Sequence, residues 1–180
     1  MSKPVVAGVS ISPLHGFSKT PRAKIVLVAG LGVEGDAHAG ETVRHRSRVA
    51  RNPAQPNLRQ VHLLEKELLD ELAESGFALE FGSLGENITT SGLSLLDLSR
   101  DTILHLGSAT VRITGLRNPC GQIENYRPGL LGHVLMKSAN GDLIRRAGVM
   151  AVVEHGGIVC PGDAIAIKPP DGSHVPLSPV

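Results

Sequence analysis

A mainly β chain carrying a few helices is what this sequence predicts, and three observations carry that prediction. Short runs rich in Val, Ile and Thr recur with period-2 alternation, and 21 glycines and 12 prolines punctuate them. Aromatic residues make up only 2% of the chain and tryptophan is absent, so the core must be built from Val, Ile, Leu and Ala, which suit packed sheets and small barrels. So many turn residues favour numerous short strands over long helices, an α+β chain dominated by β. At 180 residues and 41% hydrophobic content, the chain is long enough for one domain with a real core and short for two. We expect a single domain over 1–168 and an extended or mobile tail over 169–180, where four prolines stand without apolar periodicity.

Taken in order, 5–11 and 24–29 read as strands, joined by a loop over 12–21 that holds Pro13, Gly16 and Pro21 and carries Lys19. From Gly30 to Asn57 the text is polar and aperiodic, and irregular segments of that length are usually functional or disordered. Residues 59–63 form a short strand candidate leading into a helix over 64–75, where Leu64, Leu68, Leu69 and Leu72 fall at helical spacing and Gly76 supplies a stop. Residues 84–89 are a turn entering a strand, and 102–106 with 109–114 form a hairpin across Gly107 and Ser108. A second helix is expected within 130–137, then a turn over 139–142. The last strands are 149–154 and 164–168, separated by the turn Cys160-Pro161-Gly162-Asp163. No internal repeat is present.

Composition excludes several function classes. The net charge of +1 and pI near 7.9 give no broad field for a polyanion, and the densest basic run, Arg44-His45-Arg46-Ser47-Arg48 with Arg51 and Arg59 following, lacks the interleaved aromatics of a single-strand nucleic-acid platform. That run can instead attract a small anionic cofactor or substrate, and no nucleic-acid partner is expected. The apolar opening is broken by Gly8 and Pro13, and no later run reaches membrane-spanning length, so neither a signal segment nor a membrane partner is expected. With only two cysteines, Cys120 and Cys160, the expectation is a cytoplasmic protein in a reducing compartment. No C-x-x-C or H-E-x-x-H pair supports a zinc site.

Gly30-Leu31-Gly32-Val33-Glu34-Gly35 matches the dinucleotide-binding G-x-G-x-x-G and follows a strand. That motif needs a helix to begin within it, because the helix N-terminus makes the pyrophosphate site. Here Asp36-Ala37-His38-Ala39-Gly40 and a charged run follow, with no apolar helical face, so the match is discarded.

The chemistry concentrates at Arg117-Asn118-Pro119-Cys120-Gly121. A cysteine in a Pro/Gly turn at a strand end is exposed, and a neighbouring arginine favours the thiolate, the form that ligates soft metals or attacks electrophiles. Asp36 and His38, one residue apart in a Gly-rich turn, suggest a turn-stabilising carboxylate and an acid/base histidine. Glu86 and Asn87 follow Gly85 at a strand entrance, where alternation allows at most one of them to face a cleft.

In order and separation, Lys19, Gly32-Val33-Glu34-Gly35-Asp36-Ala37-His38, Gly85-Glu86-Asn87-Ile88 and Asn118-Pro119-Cys120 resemble the MOSC family, named for the C-terminal domain of molybdenum cofactor sulfurases, in its compact stand-alone bacterial form. The resemblance implies a MOSC-type β-barrel of mixed short strands with peripheral helices. It also implies a cleft in which Cys120 ligates the molybdenum of a pterin dithiolene cofactor, or carries sulfur. Such a cofactor presents an anionic phosphate, a polar ring system and a soft metal. Lys19 and Arg59 are then the candidates for the phosphate, Asn87 for the pterin edge, and Arg117 and Asn118 for framing the site, with His38 beside Cys120 as the second catalytic candidate. The activity so implied is an oxidoreductase that reduces N-hydroxylated small molecules. Since no haem, flavin or iron–sulfur motif is present, it would depend on an external electron-transfer reductase. The alternatives are a sulfur carrier bearing a persulfide on Cys120 and served by a cysteine desulfurase, and a non-catalytic cofactor-binding module.

Overall fold

The computed structural model describes residues 3–44 and 46–180; His45 of the arginine-rich run lies outside the described residues, and of Arg46 and Ser47 only the backbone is described. Thirteen strands and four short helices are present among them. An eight-stranded sheet runs in the order β13 (Ile165–Lys168), β7 (Ile103–Leu106), β8 (Ala109–Leu116), β11 (Val149–His155), β5 (Val61–Glu65), β6 (Ile88–Ser91), β1 (Val5–Ile11), β2 (Thr20–Arg22). A three-stranded sheet orders β12 (Gly157–Val159), β3 (Ile25–Val28) and β4 (Gly32–Val33), and β9 (Leu135–Lys137) pairs with β10 (Leu143–Arg145) in a separate ribbon. The helices are α1 (Arg46–Val49), α2 (Lys66–Glu74), α3 (Gly121–Tyr126) and α4 (Leu131–Val134).

The mainly β expectation holds, but the sheets do not close. The large sheet ends in the edges β13 and β2, and the start of β1 meets the start of β13 through one bridge between Val5 and Ala164 and a bond from the Gly162 N–H to the Val6 carbonyl, so no continuous ladder makes a barrel. Inward residues of both larger sheets, among them Val6, Leu27, Val33, Leu63, Leu104, Val111, Ile113 and Val149, share one core. A second cluster forms where Leu68, Leu69 and Leu72 of α2 meet Leu64, Leu84, Ile123 and Leu130.

Tertiary pairing moved several boundaries. Leu64 and Glu65 sit in β5 rather than in the helix, because β5 pairs in parallel with β6 (Leu64 opposite Thr89, Glu65 opposite Thr90) and α2 is the crossover that a parallel pair requires. The helix expected within 130–137 shrinks to α4 and gives way to β9, whose partner β10 holds it extended. The 102–106 and 109–114 hairpin forms with Leu106 opposite Ala109, and β8 runs on to Leu116. The discarded G-x-G-x-x-G is the tight β3–β4 hairpin, with positive φ at Gly30 and Gly32, and no helix begins within it. Residues 169–180 bend at 171–173 and hydrogen-bond to the body of the protein, with Pro179 bridged to Leu116 and the Val175 carbonyl accepting from the Arg100 N–H at 2.9 Å.

Candidate functional site

Five irregular segments converge on one cleft of about 410 Å³: the loop after β1, the stretch from β4 to α1, the approach to β5, the loop before β6, and the turn between β8 and α3. That volume lies within the roughly 300–1,000 Å³ usual for small-molecule sites. The structure brings all of Lys19, His38, Arg59, Asn87, Arg117, Asn118 and Cys120 to its lining, together with Arg44, Arg48 and Arg51. No aspartate or glutamate joins them among the described residues. Six cationic side chains therefore face one cavity without a lining carboxylate.

The wall before β6 is locked by backbone geometry. Gly85 has φ +84°, and a Cβ there would lie 2.6 Å from the Phe17 carbonyl oxygen, so only glycine lets the two loops approach. Glu86 is fully buried behind the wall. Its carboxylate accepts from the Gly82 and Leu84 N–H groups at 2.7 and 3.1 Å, while burial pushes its pKa up. Asn87 turns to the cleft side, but both its N–H donors serve the scaffold, reaching the Ser10 carbonyl at 3.2 Å and Asp36 Oδ2 at 3.1 Å. Its own oxygen accepts from the His62 N–H at 3.2 Å, so this amide positions the wall rather than offering a free hydrogen-bonding edge.

Asp36 is the hub beneath the floor. Its Oδ2 takes a 2.5 Å bond from Lys19 Nζ, with side-chain exposures of only 5% and 2%, and its Oδ1 accepts from the His38 N–H at 3.0 Å and faces His38 Nδ1 at 3.3 Å. Burial pushes the carboxyl up, but hydrogen bonds from His38 and the charge of Lys19 outweigh it and hold Asp36 well below the ordinary carboxylate range. Burial likewise pushes the Lys19 ammonium down, opposed by Asp36. Lys19 thus lines the cleft with its charge largely offset, while His38 is held by Asp36 and keeps 30% of its side chain exposed.

Two guanidiniums stand closer to the thiol. Arg117 is buried, donates to the Leu84 carbonyl at 2.5 Å and lies 5.7 Å over the Phe17 ring. Burial pushes its pKa down, and the buried Glu86 carboxyl pushes back. Burial and the neighbouring Arg48 and Arg117 lower Arg59 to about 10, so it stays cationic at neutral pH; it also donates to the Val180 carbonyl at 3.1 Å. Cys120 itself is exposed, 3.7 Å from Gln122 Oε1, at the residue that precedes α3. Asn118 is exposed beside it, its oxygen accepting from Arg145 Nε at 2.9 Å.

Sequence reasoning missed Phe17, Asn57 and Gln122, which also line the cleft. Asn57 ties the cleft together by donating to the His38 and Gly40 carbonyls at 3.0 and 2.9 Å and accepting from the Arg59 N–H at 3.0 Å. Only its place just ahead of a strand hinted at such a bracing role. His62 is buried, its Nε2 is 2.7 Å from the Ala147 carbonyl, and burial drives its pKa well below 6.5, so it lines the cleft as a neutral imidazole. Among the described residues no group of three or more His, Cys, Asp or Glu is placed to hold a metal ion.

No helix among the described residues is long and apolar enough to cross a membrane. No curated protein matches the chain in sequence. Among solved structures, the YuaD protein from Bacillus subtilis is similar with a TM-score of 0.72 and 24% identity, covering 92% of this chain and 96% of that one. YiiM from Geobacillus stearothermophilus is similar with a TM-score of 0.64 and 16% identity over 96% of this chain and 79% of that one. YiiM from Escherichia coli gives 0.58 and 17% over 94% and 72%. These identities speak to the fold alone. The MOSC domain model matches residues 34–166, which span His38 and Cys120 and well over half of the sequence, so the chain belongs to the MOSC domain family, a family generally associated with binding the molybdenum cofactor.

Proposed function

We propose that this protein holds a pterin dithiolene molybdenum cofactor in the cleft, with the Cys120 thiolate as protein ligand, and reduces N-hydroxylated small molecules. The observation that carries the reading is an exposed thiol on the wall of a cavity that, among the described residues, six cations and no carboxylate line. The donor set suits such a group: a single soft ligand for a metal already held by two sulfurs, and Arg59, backed by Arg117, for an oxyanion. When bound, the molybdenum supplies two-electron redox chemistry. The overall reaction takes up two electrons and two protons, breaks the N–O bond and releases water, and the electrons come from a separate reductase because the chain has no haem, flavin or iron–sulfur motif. His38, held through Nδ1 by Asp36, is the proton-carrying side chain of the cleft.

Protein purified from a cofactor-competent host is expected to contain stoichiometric molybdenum by elemental analysis, and Cys120→Ser to contain little. Metal-free wild type, or equal metal in both, overturns the reading. The exposure of the sulfur also favours a second reading, a carrier that takes a persulfide from a cysteine desulfurase. A sulfur adduct on Cys120 by intact mass after incubation with a desulfurase, in protein without molybdenum, selects it. Tight cofactor retention without reductase-supported turnover selects a binding module.

A further inference from the structure

The six cations of the cleft divide into two tiers. The inner three are held by the scaffold: Lys19 is paired with Asp36, Arg117 donates to the Leu84 carbonyl and Arg59 to the Val180 carbonyl. The outer three, Arg44, Arg48 and Arg51, belong to the segment between β4 and β5; Arg44 and Arg51 are exposed and Arg48 half-buried. None of the three takes part in an ion pair among the described residues, and Arg48 depresses the pKa of Arg59, so it stands close enough to repel it. A phosphate on the cofactor brings about two negative charges. Arg59 is the cation assigned to that phosphate in the proposed function. Three guanidiniums that form no ion pair among the described residues then remain on the lining, where an anionic group of a second molecule can meet them.

We propose that Arg44, Arg48 and Arg51 form a second oxyanion subsite, which anchors a carboxylate or phosphate carried by the substrate while its N-hydroxyl group lies toward Cys120. The subsite rests on the proposed function for its reaction but not for its binding. Guanidiniums suit the task because they present planar forks matching carboxylate and phosphate oxygens. The neighbouring Gln55, Asn57 and Phe17 supply neutral walls, so charge selection falls to the arginines.

The test is isothermal titration of the purified full chain with benzamidoxime and 4-carboxybenzamidoxime, which differ by one carboxylate. Wild type at low salt is expected to bind the carboxylated compound about tenfold more tightly, the effect of one well-made charge-assisted contact. That preference is expected to fall toward unity in the triple variant Arg44→Gln/Arg48→Gln/Arg51→Gln, to weaken in the exposed double variant Arg44→Gln/Arg51→Gln, and to vanish near 1 M salt, where screening reaches about 3 Å. Equal affinities in wild type, or a preference that survives the triple substitution, overturn the proposal. So does loss of molybdenum from the triple variant in step with loss of anion binding, since the arginines would then serve the cofactor's phosphate. Wild type that discriminates by charge yet holds no molybdenum overturns the cofactor reading and leaves the subsite standing; molybdenum-loaded protein that does not discriminate does the reverse.

Discussion

Lys19 and Asp36 meet almost without solvent, and Asp36 also receives Asn87 and the His38 and Ser12 amides. Removing the ammonium alone leaves a buried carboxylate short of its counter-charge, so Lys19→Met is expected to cost about 3–5 kcal/mol by urea unfolding. Cys120 presents the opposite case. Its side chain is exposed, so Cys120→Ser is expected to stay within about 0.5 kcal/mol of wild type in the same measurement, which separates any loss of metal from loss of fold. His62 sets the acid limb of stability. Its folded pKa lies well below 6.5, so the unfolded chain binds a proton that the folded chain refuses. The stability it contributes is complete above pH 6.5 and falls as pH drops below that value, by up to about 1.4 kcal/mol per pH unit. Unfolding midpoints from pH 7.5 down to about 5 are expected to show that slope in wild type and a shallower one in His62→Gln. Asp36, also depressed, acts lower, below its ordinary value of 3.8.

At the scale of elements, the site depends on loops that strands hold at close range. Gly85→Ala places a Cβ against the Phe17 carbonyl at a positive φ, and is expected to cost about 1–3 kcal/mol and to lower the melting temperature by roughly 2–10 °C in a thermal scan. Much of this scale was legible in the chain. The alternation of 109–114 and the Gly107-Ser108 turn predicted the β7–β8 hairpin because both signals are local, and the Arg-Asn-Pro-Cys turn after it was visible for the same reason. What local pattern missed were elements that exist through a distant partner. Leu64 has helical spacing yet is a strand residue, because Thr89 pairs opposite it. The strand β12, too short and Gly-led to announce itself, forms by pairing with β3 more than a hundred residues away.

At the scale of the whole molecule, a nearly neutral protein concentrates positive charge in one cavity. The net charge is only +1, yet six cations line the cleft, so the folded state bears a local repulsion that a bound anion relieves. Inorganic phosphate at low ionic strength is expected to raise the melting temperature in a dose-dependent way, and added sodium chloride to suppress the rise; a rise insensitive to salt would argue for non-specific exclusion instead.

The sequence by itself determined that strands dominate, that one cysteine leaves a strand end in an open turn, and that its neighbours are cationic, since each of these follows from alternation, turn chemistry and adjacency along the chain. Only the tertiary structure decided that Lys19 is balanced by Asp36, that Asn87 is committed to the scaffold, and that Arg44, Arg48 and Arg51 share a cavity with Cys120. It also decided that the sheet stays open, with no continuous ladder across its gap. The physical reason is common to all four: burial, pairing and compensation of charge are properties of groups far apart in the chain, and they come into being when the loops fold against one another.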